Sequence, residues 1–293
     1  MSTAAPGHRR RRLLARPGRT LAEVLTLLIA LVVAFPLYWM VLSAVKHPGE
    51  IQSSAPRLWT TAPTWDNFRR VLQVEGLGGY LLNSVVVALA VVVLSLFLSF
   101  LAAVALTRFR FRGRTVLAVM LLVAQMVPVE ALTIPLFFLM RSVGGVAPQL
   151  GLNHLGSLVL VHLAFSLPFA IWMLRGFVAA VPRELEEAAT LDGASRFRFT
   201  WQVLFPLVAP GLVAMSVLSF IHAWNDFLFA RTFIISATEN QTLPMAILVF
   251  FSPEGNDWGA IMAGSTLLTI PVLVFFVLVQ RHLVSGLAGA VKG

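Results

Sequence analysis

Six long apolar runs limit what this chain can become. They cover roughly residues 21–45, 80–106, 116–140, 155–178, 207–233 and 259–279. A helix needs about 20 apolar residues to cross a hydrocarbon core, and each run is long enough. The runs are apolar on all sides, whereas the strands of a membrane barrel would alternate. Composition agrees: 58% of the residues are hydrophobic and 12% are charged, against about 45–50% and about 25% in a soluble domain. The expected fold class is an all-α membrane protein with six transmembrane helices and the lipid bilayer as its solvent. The chain contains no cysteine, which removes disulfides, thiolate metal sites and thiol nucleophiles.

The net charge of +9 reads as orientation in such a chain, not as affinity for nucleic acid. Lys and Arg accumulate on the cytoplasmic side of membrane proteins. Of the 22 basic residues, 16 lie in the N-terminal tail, the second and fourth connections and the C-terminal end. Both termini are therefore expected in the cytoplasm. The domain division is a basic cytoplasmic tail, 1–20, followed by a transmembrane domain, 21–293. The tail sequence "RRRRLLARPGRT" before an apolar run resembles a secretory signal. However, the run exceeds the 7–15 residues of a signal core and no A-x-A site follows, so it is read as a retained first span. The tail arginines also suit anionic lipid. The first outer connection, with its Trp and Pro residues, is read as a solvated loop beside the interface belt, with partner docking as the alternative.

One polar stretch stands out among the spans: "EEAATLDGASRFRFTWQVLFPLVAP", residues 186–210. The charge count puts it in the cytoplasm. Pro182 can open a helix, and Glu184, Glu186 and Glu187 suit its first turns, where the helix dipole favours acids. Leu185, Ala188 and Ala189 make a small apolar face. Asp192-Gly193 ends the helix, with Gly193 taking the left-handed cap conformation. Ser195 can cap a second helix, in which Phe197, Trp201 and Leu204 share a face. The segment 182–206 is thus two short helices standing proud of the membrane. Such a knob fits a groove in another protein. The alternative, a helix lying on lipid headgroups, usually carries a basic polar face, and this helix opens with three acids.

These residues resemble the cytoplasmic signature of ABC importer permeases. Glu187, Ala188, Ala189, Asp192, Gly193, Ala194, Phe199, Pro206 and Pro210 match it. Similarity to the carbohydrate branch extends to "LLNSVVVAL", "TRFRFRGR", "HAWNDFLFARTF" and the ending "VQRHLVSGLAGAVKG", the last two resembling the maltose-type second permease subunit. The resemblance implies the type I importer permease fold in a bacterial plasma membrane and a sugar or oligosaccharide as solute. It implies a second homologous permease, two ATPase subunits and an extracytoplasmic solute-binding protein as partners. Glu184, Glu187, Ala188, Ala189, Asp192, Gly193, Ala194 and Phe199 would form the ATPase-coupling element. No G-x-x-x-x-G-K-[ST] occurs. ATP would therefore be used by separate subunits, and this chain would bind no cofactor. For the ending "SGLAGAVKG", a frayed tail and contact with the ATPases are both open.

Polar groups at membrane depth are costly and default to functional candidates. Glu130 lies between Pro128 and Pro135, in a span whose backbone two prolines distort. His162 lies in the fourth span, and His222, Trp224, Asn225 and Asp226 in the fifth. An Asn/Asp pair beside Trp224 and Phe227 offers hydrogen bonds and aromatic surface to a sugar ring. Candidate pathway residues are Glu130, Trp224, Asn225, Asp226 and Phe229; packing between helices is the alternative for each. No catalytic set or metal set is evident. An ion-coupled carrier is a competing class, but it would string acids and histidines through its spans and needs no cytoplasmic knob. An ABC permease for a non-sugar solute is the closer rival. A topology assay checks the orientation. Reporters fused after Gly293 and inserted near Arg112 should report cytoplasm, and one near Thr61 the outside; an external signal from either of the first two would contradict the arrangement.

Overall fold

The computed structural model describes the backbone of residues 17–290 and the side chains of 21–280. Most of the N-terminal arginine run and the side chains of the C-terminal tail lie outside the described residues, with the expectations attached to them. The main helices are α1 (Pro17–Ala44), α2 (Leu77–Arg108), α3 (Arg114–Ala124), α4 (Thr133–Val146), α5 (Leu155–Ala180), α6 (Glu184–Leu191), α7 (Arg196–Phe199), α8 (Phe205–Trp224), α9 (Leu228–Phe233) and α10 (Trp258–Ala290). Six stretches are long and apolar enough to cross a membrane: Leu21–Ala44, Leu77–Arg108, Val129–Val146, Leu155–Ala180, Arg196–Trp224 and Trp258–Gln280. The six-span, all-α expectation is met.

Two spans are interrupted, the third where its prolines were expected to distort it and the fifth where no break was expected. The third crossing is not one helix over 116–140. It stops after Ala124, passes through Pro128 in an extended conformation, makes one 3-10 turn at Val129–Leu132 and resumes as α4. Proline disfavours helical geometry in the residue before it and lacks an N–H, so the break falls where the sequence weakens the helix. The fifth crossing stops at Trp224, not near 233. There the Asp226 carboxylate accepts hydrogen bonds from the N–H groups of Phe229 (3.2 Å) and Ala230 (3.0 Å). A short side-chain acceptor that binds N–H groups three and four residues ahead starts a new helix instead of continuing the old one.

The core lies between α2, α5 and α8. One cluster joins Val87, Val91, Leu158, Val161, Phe220 and Trp224, and a second joins Phe100, Val104, Leu174, Val178, Val208 and Leu212. Gly211 lets α8 close on α5: a Cβ there would stand 2.6 Å from the Phe177 ring. Along α1 most residues are exposed, as suits a helix whose solvent is lipid or another subunit. The outer connection is tied down by polar contacts. Asn67 Nδ2 donates to the carbonyls of Ala44 and Lys46, both at 2.8 Å. Lys46 is buried, donating to Arg57 O at 2.6 Å and lying over the Trp39 ring. Arg70 pairs with Asp257 at 2.9 Å and anchors the loop to the start of α10.

Candidate functional site

Two features meet the requirements of a site: the protruding α6–α7 segment and a cavity at the two helix breaks. In the first, α6 closes with a double hydrogen bond. Ala194 N–H donates to Ala189 O at 2.8 Å and Gly193 N–H to Thr190 O at 3.0 Å, with Gly193 at φ +81°. This pairing is the Schellman termination, whose C′ position requires left-handed geometry and therefore favours glycine. It gives a physical reason for the residue types. Ala189 and Ala194 are the two ends of the bond that spans five residues, both half-buried, and small side chains let the turn sit close to the bundle. Ser195 then caps α7, its Oγ accepting from Arg198 N–H at 3.2 Å. A π-helical turn at Thr200–Leu204 runs α7 into α8 without a break, so α7 is the first turn of the fifth crossing and not the second helix standing proud that the sequence led us to expect; π-turns concentrate at functional places in helices. Helix α6 itself begins at Glu184, after Pro182.

The motif residues divide by direction. Glu184, Glu187, Ala188, Asp192 and Gly193 are exposed. Phe199 is turned inward, 4% exposed, and packs with Val104, Leu174 and Leu204 in the second core cluster. It anchors the segment to the spans instead of facing outward. Leu191 at 89% and Phe197 at 75% exposure are the most exposed large apolar groups of the segment, with Leu185 less so. Sequence reasoning passed over Leu191; a leucine at the tip of an otherwise polar knob was the available signal.

A buried arginine fastens this segment. Arg108, in the last turn of α2, donates through Nη2 to Val178 O (3.1 Å) and Val181 O (2.8 Å), and its Nε lies 3.7 Å from Glu186 Oε2. It thereby caps the C-terminal end of α5, adding to the bond that Val181 N–H makes to Val178 O, and faces an acid on α6. Arg183 reaches back to Thr107 O at 3.5 Å. Three elements, α2, α5 and α6, thus meet on one guanidinium.

The second feature is a cavity of about 390 Å³, within the range of small-molecule sites, about 300–1,000 Å³. Both helix breaks line it: Gln125, Val129 and Glu130 from the third crossing, and Asp226 and Phe229 from the fifth. Helix α5 supplies a stripe at helical spacing, His162, Phe165, Ser166 and Phe169. The Phe165 and Phe229 rings stack at 5.8 Å, with the His162 ring edge-on to Phe229. His162 Nε2 lies 3.4 Å from Asp226 Oδ2. Non-helical backbone at membrane depth survives where it is buried in protein or lines a cavity.

Of the five pathway residues named from sequence, Glu130, Asp226 and Phe229 line this cavity. Trp224 and Asn225 do not. Trp224 is buried in the core, stacked on Phe220, and donates through Nε1 to Leu268 O at 3.0 Å, pinning α8 to α10. Asn225 is exposed at the break. Phe165, Ser166, Phe169 and Gln125 were missed; the α5 stripe was the signal that could have found them.

Residues 95–289 match the family model of the binding-protein-dependent transport system inner membrane component. The chain belongs to this family. The diacetylchitobiose uptake system permease protein DasC of Streptomyces coelicolor is 40% identical over 94% of this chain and 98% of that protein. The trehalose/maltose transport system permease protein MalG of Thermococcus litoralis is 35% identical over 94% and 97%. In fold, the chain is similar to a bacterial ABC transporter involved in the import of the acidic polysaccharide alginate, with TM-score 0.73 and 21% identity over 94% of this chain and 99% of that one.

The chain is therefore a multi-pass permease subunit of an ABC importer, an inner-membrane transport component. The family match begins within α2 and contains the α6–α7 segment, both helix breaks and the whole Arg108 junction. In this permease, Arg108→Gln should free α6 from the ends of α2 and α5. A hydrogen bond from a charged donor is worth about 1.5–3 kcal/mol, so amide exchange across 184–199 should quicken by roughly tenfold or more, while mid-α2 amides stay unchanged. Unaltered exchange in α6 would show that Arg108 does not hold it.

Proposed function

We propose that this permease carries a sugar or oligosaccharide, together with a second homologous permease, and takes its power stroke through α6 from two separate ATPase subunits. An extracytoplasmic binding protein would deliver the solute on the opposite side. The carrying observation is the build of the α6–α7 segment. Its exposed face offers Glu184, Glu187, Asp192 and Leu191, while Phe199 and Arg108 root it in the helices that line the cavity. A push on the exposed face would reach α2, α5 and α8 through those two anchors. Solute class rests on two supports. DasC and MalG are named for diacetylchitobiose and for trehalose and maltose. The half-buried Phe165 ring, backed by the buried Phe229 ring, offers aromatic surface beside Glu130 and Asp226, as saccharide sites require. Glu130, Asp226 and Phe229 are the pathway residues carried forward; Trp224 and Asn225 act on the cavity wall from behind or beside it.

Two substitutions test the coupling role. Nothing lies within 4 Å of a Cβ built on Gly193, whose φ is +81°, so Gly193→Val acts by backbone strain of about 1 kcal/mol or more and not by a clash. Glu187→Lys reverses an exposed charge. In purified complexes each should lower solute-stimulated ATP hydrolysis by roughly tenfold, the factor for about 1.4 kcal/mol of lost docking, while the permease still inserts. Salt should mute the effect of Glu187→Lys, whose charge is screened, and leave that of Gly193→Val unchanged. Wild-type stimulation in both variants would remove α6 from the coupling path.

A further inference from the structure

We infer that the cavity selects its solute by charge, admitting neutral and cationic saccharides and rejecting anionic ones such as uronates. This rests on the cavity being the path of the solute. The shared fold leaves cargo charge open, since a chain of the same architecture belongs to an importer of an acidic polysaccharide, and specificity lives in side chains and not in folds. The side chains here have one sign. Glu130 and Asp226 both line the cavity, and no Lys or Arg does so among the described residues. The groups there that can carry positive charge are the imidazoles of His162 and His222, and His162 already faces Asp226 at 3.4 Å.

The two carboxylates are not equivalent. Asp226 is occupied: it accepts two backbone N–H groups and sits against His162. The Glu130 side chain is exposed and has no partner among the described residues. Its carboxylate is the charge an incoming solute meets. A solute carboxylate would find no guanidinium or ammonium on this chain's wall to replace its hydration, and would face Glu130 as well. A hydroxyl-bearing or ammonium-bearing solute finds an acceptor in the Glu130 carboxylate instead. Ser166 Oγ is buried without a hydrogen-bond partner, and so is His162 Nε2, whose approach to Asp226 lacks hydrogen-bond geometry. Unsatisfied polar atoms of this kind are rare in folded chains and mark a place for a ligand or water.

The absence of cysteine makes the charge of the cavity directly measurable. Ala124→Cys and Ala164→Cys put a thiol on two different walls at alanine positions that tolerate the extra atom. Each variant is purified in complex with cysteine-free partner subunits. Its rates of modification are measured with a trimethylammonium-bearing and a sulfonate-bearing methanethiosulfonate, each divided by the rate with a small free thiol. The expected cation-to-anion preference is roughly tenfold or more at both positions, and Glu130→Gln in the same backgrounds should cut it by at least about threefold. A preference near one, an inverted preference, or one indifferent to Glu130→Gln would overturn the charge filter while leaving the solute path intact. Failure of both reagents at both positions would show a cavity without water, and would overturn the path and the filter together.

Discussion

An unpaired backbone N–H or C=O in hydrocarbon costs several kcal/mol, and every other feature of this chain depends on that constraint. It forces six helical crossings, and it makes any interruption of a crossing informative. Two crossings are interrupted, at 125–132 and at 225–227, and both interruptions face the same cavity. Polar backbone is tolerated there because the cavity and the neighbouring side chains serve it. Asp226 takes two N–H groups at the start of α9, and Glu130 stands in the 3-10 turn that follows Pro128. Discontinuous helices around a central site are a recurrent device of membrane transporters.

The same bilayer constraint separates the work of the chain into two ends. At one end lies the cavity. At the other, α6 leaves the bundle and α7 opens the fifth crossing, the pair held by a Schellman turn, a serine cap, Phe199 and Arg108. Helices α2, α5 and α8 run between them and contribute to both core clusters. A displacement of α6 therefore has packed side chains to travel through, and interiors packed at crystal-like density pass strain on instead of absorbing it. Gly211, which brings α8 against the Phe177 ring, lies on that route.

Much of this was legible in the sequence because the signals are strong and local. Long apolar runs mark spans, and Asp192-Gly193 at the end of an acidic helix marks a left-handed cap. The break at Asn225 was not legible in the same way. Its two polar residues lie inside an apolar run, and hydropathy cannot tell a helix that continues from one restarted by an aspartate. Trp224 was assigned to the pathway because it stands beside a polar pair. Neighbours on a helix point about 100° apart, and Trp224 points into the core. The α5 stripe runs the other way: His162, Phe165, Ser166 and Phe169 share a face, but two aromatics in a greasy span look like any other core residues until a cavity is seen beside them.

In the proposed mechanism α6 is the face through which an ATPase drives the spans. Cross-linking from the tip of that helix tests it most directly. Leu191 is almost fully exposed, and the chain has no other thiol once Leu191→Cys is made. With a short bis-maleimide in native membranes, Leu191→Cys should give an adduct with an ATPase subunit, and Thr61→Cys in the outer connection should give none. If Leu191→Cys instead reacts with a lipid-embedded maleimide and yields no ATPase adduct, α6 lies on the membrane surface and the account is wrong.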